Sequence, residues 1–241
     1  MATEKKIQDP IRSSAFYDLL IFLGFTFLIL LLVGEIRDED LNPLPKVFDA
    51  PFKMFLGLAL VFFLNRKREI TWQDFGLSRP TNLLKLLGFS VLIIGVQLLV
   101  IYLFRAFVGS VVGLGHYDIS EFDFMYQSVP LSILVVIIHV AAFGIIAEIL
   151  YRGFMIHRLT PCFGGGKTGL VWAALLNSIF FGSIGFDWKF TAAYGAVMGL
   201  MFVLTKKDLW PLTIAHSILQ MVFVGQFYFT EGSHVNLFFL F

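Results

Sequence analysis

The 241-residue chain is poor in the features that build soluble proteins. It has a single cysteine, 8 prolines and only 15% charged residues, with a formal net charge of +1. A lone cysteine, Cys162, excludes an intrachain disulfide framework and any cysteine-based metal cluster; we read it as an inert helix-end residue. A charge near zero gives no global field that would draw nucleic acid or acidic partners. Soluble domains average about 25% charged residues, so a water-facing surface cannot be covered here. No internal repeat, low-complexity stretch or soluble domain is visible.

What is abundant is apolar. Hydrophobic residues make up 58% of the chain, with 29 phenylalanines and 21 glycines, and the mean hydropathy is +0.82. Long apolar runs recur: Phe16–Val33, Ala50–Asn65, Leu86–Val108, Val129–Leu159, Thr168–Phe186, Phe190–Thr205 and Trp210–Phe229. A helix needs about 20 apolar residues to cross a hydrocarbon core about 30 Å thick. The runs are continuous rather than alternating, which favours helices over a barrel. The expected fold is therefore all-α: a polytopic transmembrane helix bundle of about seven spans, with six to eight as the range. We divide it into N-terminal helices and loops (1–128), a helical core (129–229) and a short tail (230–241). No small-x-small cleavage site follows Val33, so the first run is expected to stay as a span.

Lysine and arginine bias sets the expected orientation. With the N-terminus in the cytoplasm, only Arg37, Lys46, Lys53, Arg105 and Lys189 fall outside, leaving 13 of the 18 basic residues inside (18 − 5). The outer loops would carry Glu35, Asp38, Glu39, Asp40 and Asp49, then Asp118, Glu121 and Asp123.

Ionisable groups inside spans are costly and so mark candidate sites. Three segments qualify. In Ala147-Glu148-Ile149-Leu150-Tyr151-Arg152-Gly153, Glu148 and Arg152 stand one turn apart and can pair. The pair is either structural or part of a polar site between helices. In the segment from Pro211 to Gln220, His216 and Gln220 share a helix face; His216 is a metal ligand, a proton carrier or a core residue bonded to a carbonyl. The third runs from Leu175 to Phe186. It offers Asn177 and Ser178 for interhelical hydrogen bonds and Gly182, Ser183 and Gly185 for close packing. The other histidines rank lower. His139 falls on roughly the opposite side of the helix from Glu148, His157 sits near a helix end, and His116 and His234 lie in loops. Gly164–Gly166 reads as a linker.

In this order the three segments resemble the CAAX-protease and bacteriocin-processing (Abi) family of intramembrane metalloproteases. That family carries E-E-x-x-x-R, then F-x-x-x-H, then H-x-x-x-N or D, each on a membrane helix. The alignable stretch is about Val129 to Val224, and Asp74-Phe75-Gly76-Leu77-Ser78-Arg79-Pro80 resembles a common leader segment. Arg152-Gly153, Phe181-Gly182 and Ala215-His216 are the matching anchors. The resemblance implies a zinc-dependent endopeptidase in a bacterial inner membrane. The departures fall on the chemistry: Ala147 stands at the first glutamate, Gly185 at the second-motif histidine and Gln220 at the Asn or Asp. His216 alone keeps its identity among the four metal- or water-binding positions.

A catalytic zinc takes about three protein ligands plus an open position. We therefore expect no zinc cofactor and a catalytically eroded member acting as scaffold or binding partner in contact with membrane lipid, a membrane protein or a lipidated peptide. An active endopeptidase with a rearranged site using Glu148, His216 and His139, with His216 as a metal ligand, is the alternative. A small proton-coupled transporter with Glu148 and His216 as relay is a third reading.

Overall fold

The computed structural model describes residues 2–34, 43–80, 82–104, 106–107, 128–182 and 188–229. Among them are seven helices and no strand: α1 (Ala2–Gly34), α2 (Pro43–Arg68), α3 (Leu83–Phe104), α4 (Val129–Cys162), α5 (Gly166–Gly182), α6 (Trp188–Leu204) and α7 (Trp210–Phe229). A one-turn 3-10 helix, Trp72–Phe75, joins α2 to α3. Three stretches are long and apolar enough to cross a bilayer: Phe48–Arg68, Leu83–Phe104 and the whole of α4. Ser13–Ile29 and Lys189–Leu204 are shorter apolar helices.

Burial runs opposite to that of a water-soluble domain. On α3, Leu86, Ser90, Ile93, Gln97 and Ile101 face inward at helical spacing, while Leu84 (84%), Val91 (68%) and Tyr102 (67%) are exposed. Large apolar side chains thus cover the outside, and polar ones such as Gln97, Glu148, Arg152 and Asn177 are fully buried. Lipid is the solvent in which that arrangement is stable, since it favours apolar contact and isolates the polar groups.

Local chemistry sets the helix ends. α2 finishes on Arg66, Lys67 and Arg68, cations that favour the negative end of the helix dipole, and Glu69 turns the chain with φ of 58°. Ser128 caps α4, its Oγ accepting from the Leu131 N–H at 3.5 Å, with Pro130 in the first turn. The Gly164–Gly166 linker has φ of 88°, 74° and 63° in turn and separates α4 from α5.

Two packing features position the site. α4 is one continuous helix, but Val140–Ile146 and Ile149–Met155 have π-helical turns on either side of Glu148. Such wide turns are rare and concentrate at functional sites. α7 then approaches α4 so closely at Gly144 that a Cβ there would lie 2.6 Å from the Ser217 Cα. The helix pair α5 and α6 packs through Gly195 and Gly199, whose absent side chains leave room for Ser178, Phe181 and Ala174.

The leader segment has a structural role. Phe75 is buried against Phe154 and His157, and a Cβ on Gly153 would meet Phe75 at 3.2 Å. Leu209 N donates to the Gly76 carbonyl at 3.0 Å, and Trp210 Nε1 donates to the Ser78 carbonyl at 2.8 Å. The strap therefore ties the α2–α3 link to α4 and to the start of α7. Gly76 is required there: its φ is 90°, and a Cβ would collide with the Lys207 carbonyl oxygen.

Several expectations fall outside the described residues: Gly185, Ser183, the acidic stretches at 35–42 and 118–123, His116, His234 and the apolar tail from Leu237 to Phe241.

Candidate functional site

Glu148 is the hub of a closed polar centre. Its Oε1 lies 3.3 Å from Arg152 Nη1 and 2.7 Å from His216 Nδ1. Glu148 and Arg152 are fully buried and His216 is 1% exposed. The guanidinium is always charged, so the carboxylate opposite it is retained to offset a buried cation. A carboxylate only accepts, so His216 Nδ1–H is the donor and the imidazole tautomer is set by Glu148.

Aromatic rings enclose this centre. The Arg152 guanidinium stacks 4.2 Å from the Phe181 ring centroid, a cation–π contact strengthened by the absence of water. Tyr151 meets the same ring edge-on at 5.0 Å. Tyr194 lies 5.7 Å from the His216 ring and 6.3 Å from Phe181. Its hydroxyl accepts a hydrogen bond from Gln97 Nε2, and Gln97 also approaches Met198 Sδ at 3.1 Å. α3, α4, α5, α6 and α7 each contribute at least one side chain.

The motif residues divide clearly. Glu148 and Arg152 pair as their spacing predicts, and His216 joins them although 68 residues away. Ala147 and Gln220 are buried, at 1% and 2% exposure. Among the described residues Asn177 and Ser178 make no interhelical hydrogen bond, and their segment serves as a packing face against α6. Ser178 Oγ donates instead to the Leu175 carbonyl of its own helix at 2.5 Å, and the Asn177 amide makes no hydrogen bond. Beside Ser178, α6 presents Gly195, which carries no side-chain partner atoms. His139 Nδ1 is bonded to the Val135 carbonyl at 2.9 Å, and its ring lies beside Phe143. Gln97 and Tyr194 belong to no motif in the sequence. A single amide on an otherwise apolar helix was the available signal for Gln97, and Gly195-Ala196-Val197-Met198-Gly199 marked the close face of α6.

Glu148 Oε1 and His216 Nδ1 are placed to bond each other rather than to share a zinc ion. Two ligand atoms each about 2.0–2.2 Å from a tetrahedral ion would stand about 3.3 Å apart. Glu148 Oε1 and His216 Nδ1 are at 2.7 Å, hydrogen-bond distance. Among the described residues no three His, Cys, Asp or Glu side chains form a group that holds a metal. Gly185 has no side chain to ligate, wherever it lies.

A helical bundle with an apolar exterior and a buried carboxylate–guanidinium–imidazole centre defines a polytopic membrane protein whose polar chemistry is held between α4 and α7. Residues 129–222 match the family model "Type II CAAX prenyl endopeptidase Rce1-like", so this part of the chain, less than half of it, is similar to the CAAX endopeptidases, as the three motifs indicated. No match is found among curated proteins or among solved structures. The family match and the apolar helices together make the chain an integral membrane protein.

Proposed function

We propose that the protein is a non-proteolytic relative of the CAAX endopeptidases, a membrane-embedded scaffold that binds a membrane protein or a lipidated peptide. The observation that carries this reading is the engagement of Glu148 Oε1 by both Arg152 and His216. In a hydrolase of this architecture, a carboxylate must activate water and an imidazole must hold a metal. Here Glu148 Oε1 and His216 Nδ1 are turned to each other. Ala147 supplies no general base at the neighbouring position, and Glu148 would have to abandon Arg152 to act as one, leaving a buried cation uncompensated.

The chain crosses the membrane about seven times in this reading, with its N-terminus on the cytoplasmic side of a bacterial inner membrane. Positive-inside bias supports the orientation. The basic end of α2 (Arg66, Lys67, Arg68), Lys206 and Lys207 then face the cytoplasm.

The test is a paired assay on protein reconstituted in liposomes. A prenylated C-terminal peptide is offered with added zinc and, separately, with a chelator. Binding without cleavage is expected under both conditions. Chelator-sensitive cleavage that His216→Ala abolishes overturns the proposal in favour of an active metalloendopeptidase, as does about one tightly held zinc per chain.

A further inference from the structure

A second buried charge cluster lies away from the Glu148 centre, where α1, α2 and α4 meet. Asp18 of α1 is 1% exposed. Its Oδ2 lies 2.9 Å from Arg158 Nη2 of α4, and its Oδ1 lies 3.3 Å from Arg68 Nη2 of α2. Two guanidinium groups thus share one carboxylate, and the cluster carries a net charge of +1. Arg158 is itself 5% exposed. Neither its Nε nor its Nη2 makes an aligned hydrogen bond. One turn before Arg68 on α2, Asn65 is 4% exposed, and among the described residues both atoms of its amide lack hydrogen-bond partners. Arg68 is the outward member, with 37% of its side chain exposed.

Buried N–H donors in excess, with a net positive charge and one exposed cation at the edge, suit a tetrahedral oxyanion. Guanidinium forks match phosphate oxygens bidentately, and a buried donor without an acceptor is destabilising. We propose that Arg158, Arg68 and Asn65 form a phosphate-binding site at the basic end of the bundle, with Asp18 holding the two arginines in place when it is empty. The phosphate is that of an anionic phospholipid headgroup or a free phosphate; both present the same oxygens. The site lies where α2 ends on Arg66, Lys67 and Arg68, the level at which a lipid headgroup meets a helix end. Asp18 competes with the anion for the arginines, which gives the proposal an unusual sign.

The test uses the full chain in neutral detergent, with unfolding midpoint and native mass spectrometry as readouts. Phosphatidylglycerol is added in one arm and inorganic phosphate in the other, with phosphatidylcholine as control. A raised midpoint and a bound adduct are expected in at least one anion arm; response to the lipid alone assigns the headgroup, and response to both assigns phosphate in general. Arg68→Gln weakens the anion by about tenfold, as loss of a charge-assisted bond should. Asp18→Asn lowers the midpoint of the anion-free protein yet tightens the anion severalfold. Lys67→Gln, on the neighbouring exposed cation, leaves affinity within about twofold, as screened surface charges do. No anion-dependent shift in either arm overturns the site. So does equal weakening by Lys67→Gln and Arg68→Gln, or weaker binding by Asp18→Asn, each of which reports only a general basic surface. Should Arg68→Gln fail to fold, Arg68→Lys serves: it keeps the charge, loses the fork and is expected to weaken binding, and unchanged affinity overturns the site.

Discussion

Two places in this bundle solve the same electrostatic problem differently. At the Glu148 centre one carboxylate meets a guanidinium and an imidazole, all within a shell of aromatic rings. At the Asp18 junction one carboxylate meets two guanidiniums, one of which reaches the surface. The first is balanced when His216 is neutral, and is closed on every side by α3 to α7. The second holds surplus positive charge and has an outlet in Arg68. A balanced, enclosed cluster is suited to fixing helix positions, because moving any member strands a charge at depth. An unbalanced cluster with one exposed member is suited to exchange with something outside. The first lies within the segment similar to CAAX endopeptidases, between 129 and 222. The second recruits α1 and α2, which lie before it.

Breaking the enclosed centre should cost most. Glu148→Ala strands the Arg152 cation and is expected to destabilise by about 3–5 kcal/mol, the cost of breaking a buried pair. Glu148→Ala combined with Arg152→Leu removes both charges and should recover much of that loss. Reversible unfolding in bicelles ranks them, and a double variant less stable than the single one means that the pair is not formed. A different attack on the same centre goes through packing. Gly144→Leu must push α7 away, since even a Cβ would sit 2.6 Å from the Ser217 Cα. About 2–3 kcal/mol is expected for such overpacking, with the His216 ring freed from Glu148; the imidazole NMR signals of His216 report this directly.

The outward-opening junction should be more forgiving. Asp18→Asn is expected to cost about 2 kcal/mol in anion-free detergent, because Arg68 can turn into water while Arg158 cannot. A loss as large as that of Glu148→Ala would erase the contrast between the two clusters. The smallest effect should come from the strap that connects neither centre directly. The Asp74 carboxylate accepts from the Thr71 hydroxyl and the Thr71 N–H, both at 2.8 Å. These bonds, the hydroxyl's first, hold its pKa below the ordinary value of 3.8. A depressed carboxylate stabilises the folded state above its ordinary pKa. That contribution is lost as pH falls through the lower folded value. Because Asp74 is exposed, the effect should appear as faster hydrogen exchange at Thr71–Gly76 below about pH 4, with little change in global stability. Asp74→Asn should remove that acid limb, and an unchanged limb would show that another group controls it.

Parts of this were legible in residue order alone. Continuous apolar runs announced the helices, and a four-residue interval paired Glu148 with Arg152, since helical geometry leaves such neighbours little choice. The three motifs in order brought His216 toward Glu148. Their substitutions at Ala147, Gly185 and Gln220 are plain in the letters. Other features had no local signal. The wide turns on both sides of Glu148 depend on how α4 is gripped by its neighbours. Asn177 and Ser178 have the chemistry for interhelical bonds, but whether a partner faces them is decided by α6, which presents glycine.

The chain's composition determined its solvent: with so few charges and so many large apolar side chains, only lipid can surround it. The order of residues within each run determined where helices exist and which polar groups must be hidden. Only the tertiary structure decided which hidden groups meet. Gln97 with Tyr194, Glu148 with His216, and Asp18 with Arg68 and Arg158 are joined across 50 to 140 positions of sequence. Nothing in a helix's own periodicity specifies its neighbour; that is settled by which glycines permit close approach and which buried charges find a counter-charge when the helices pack.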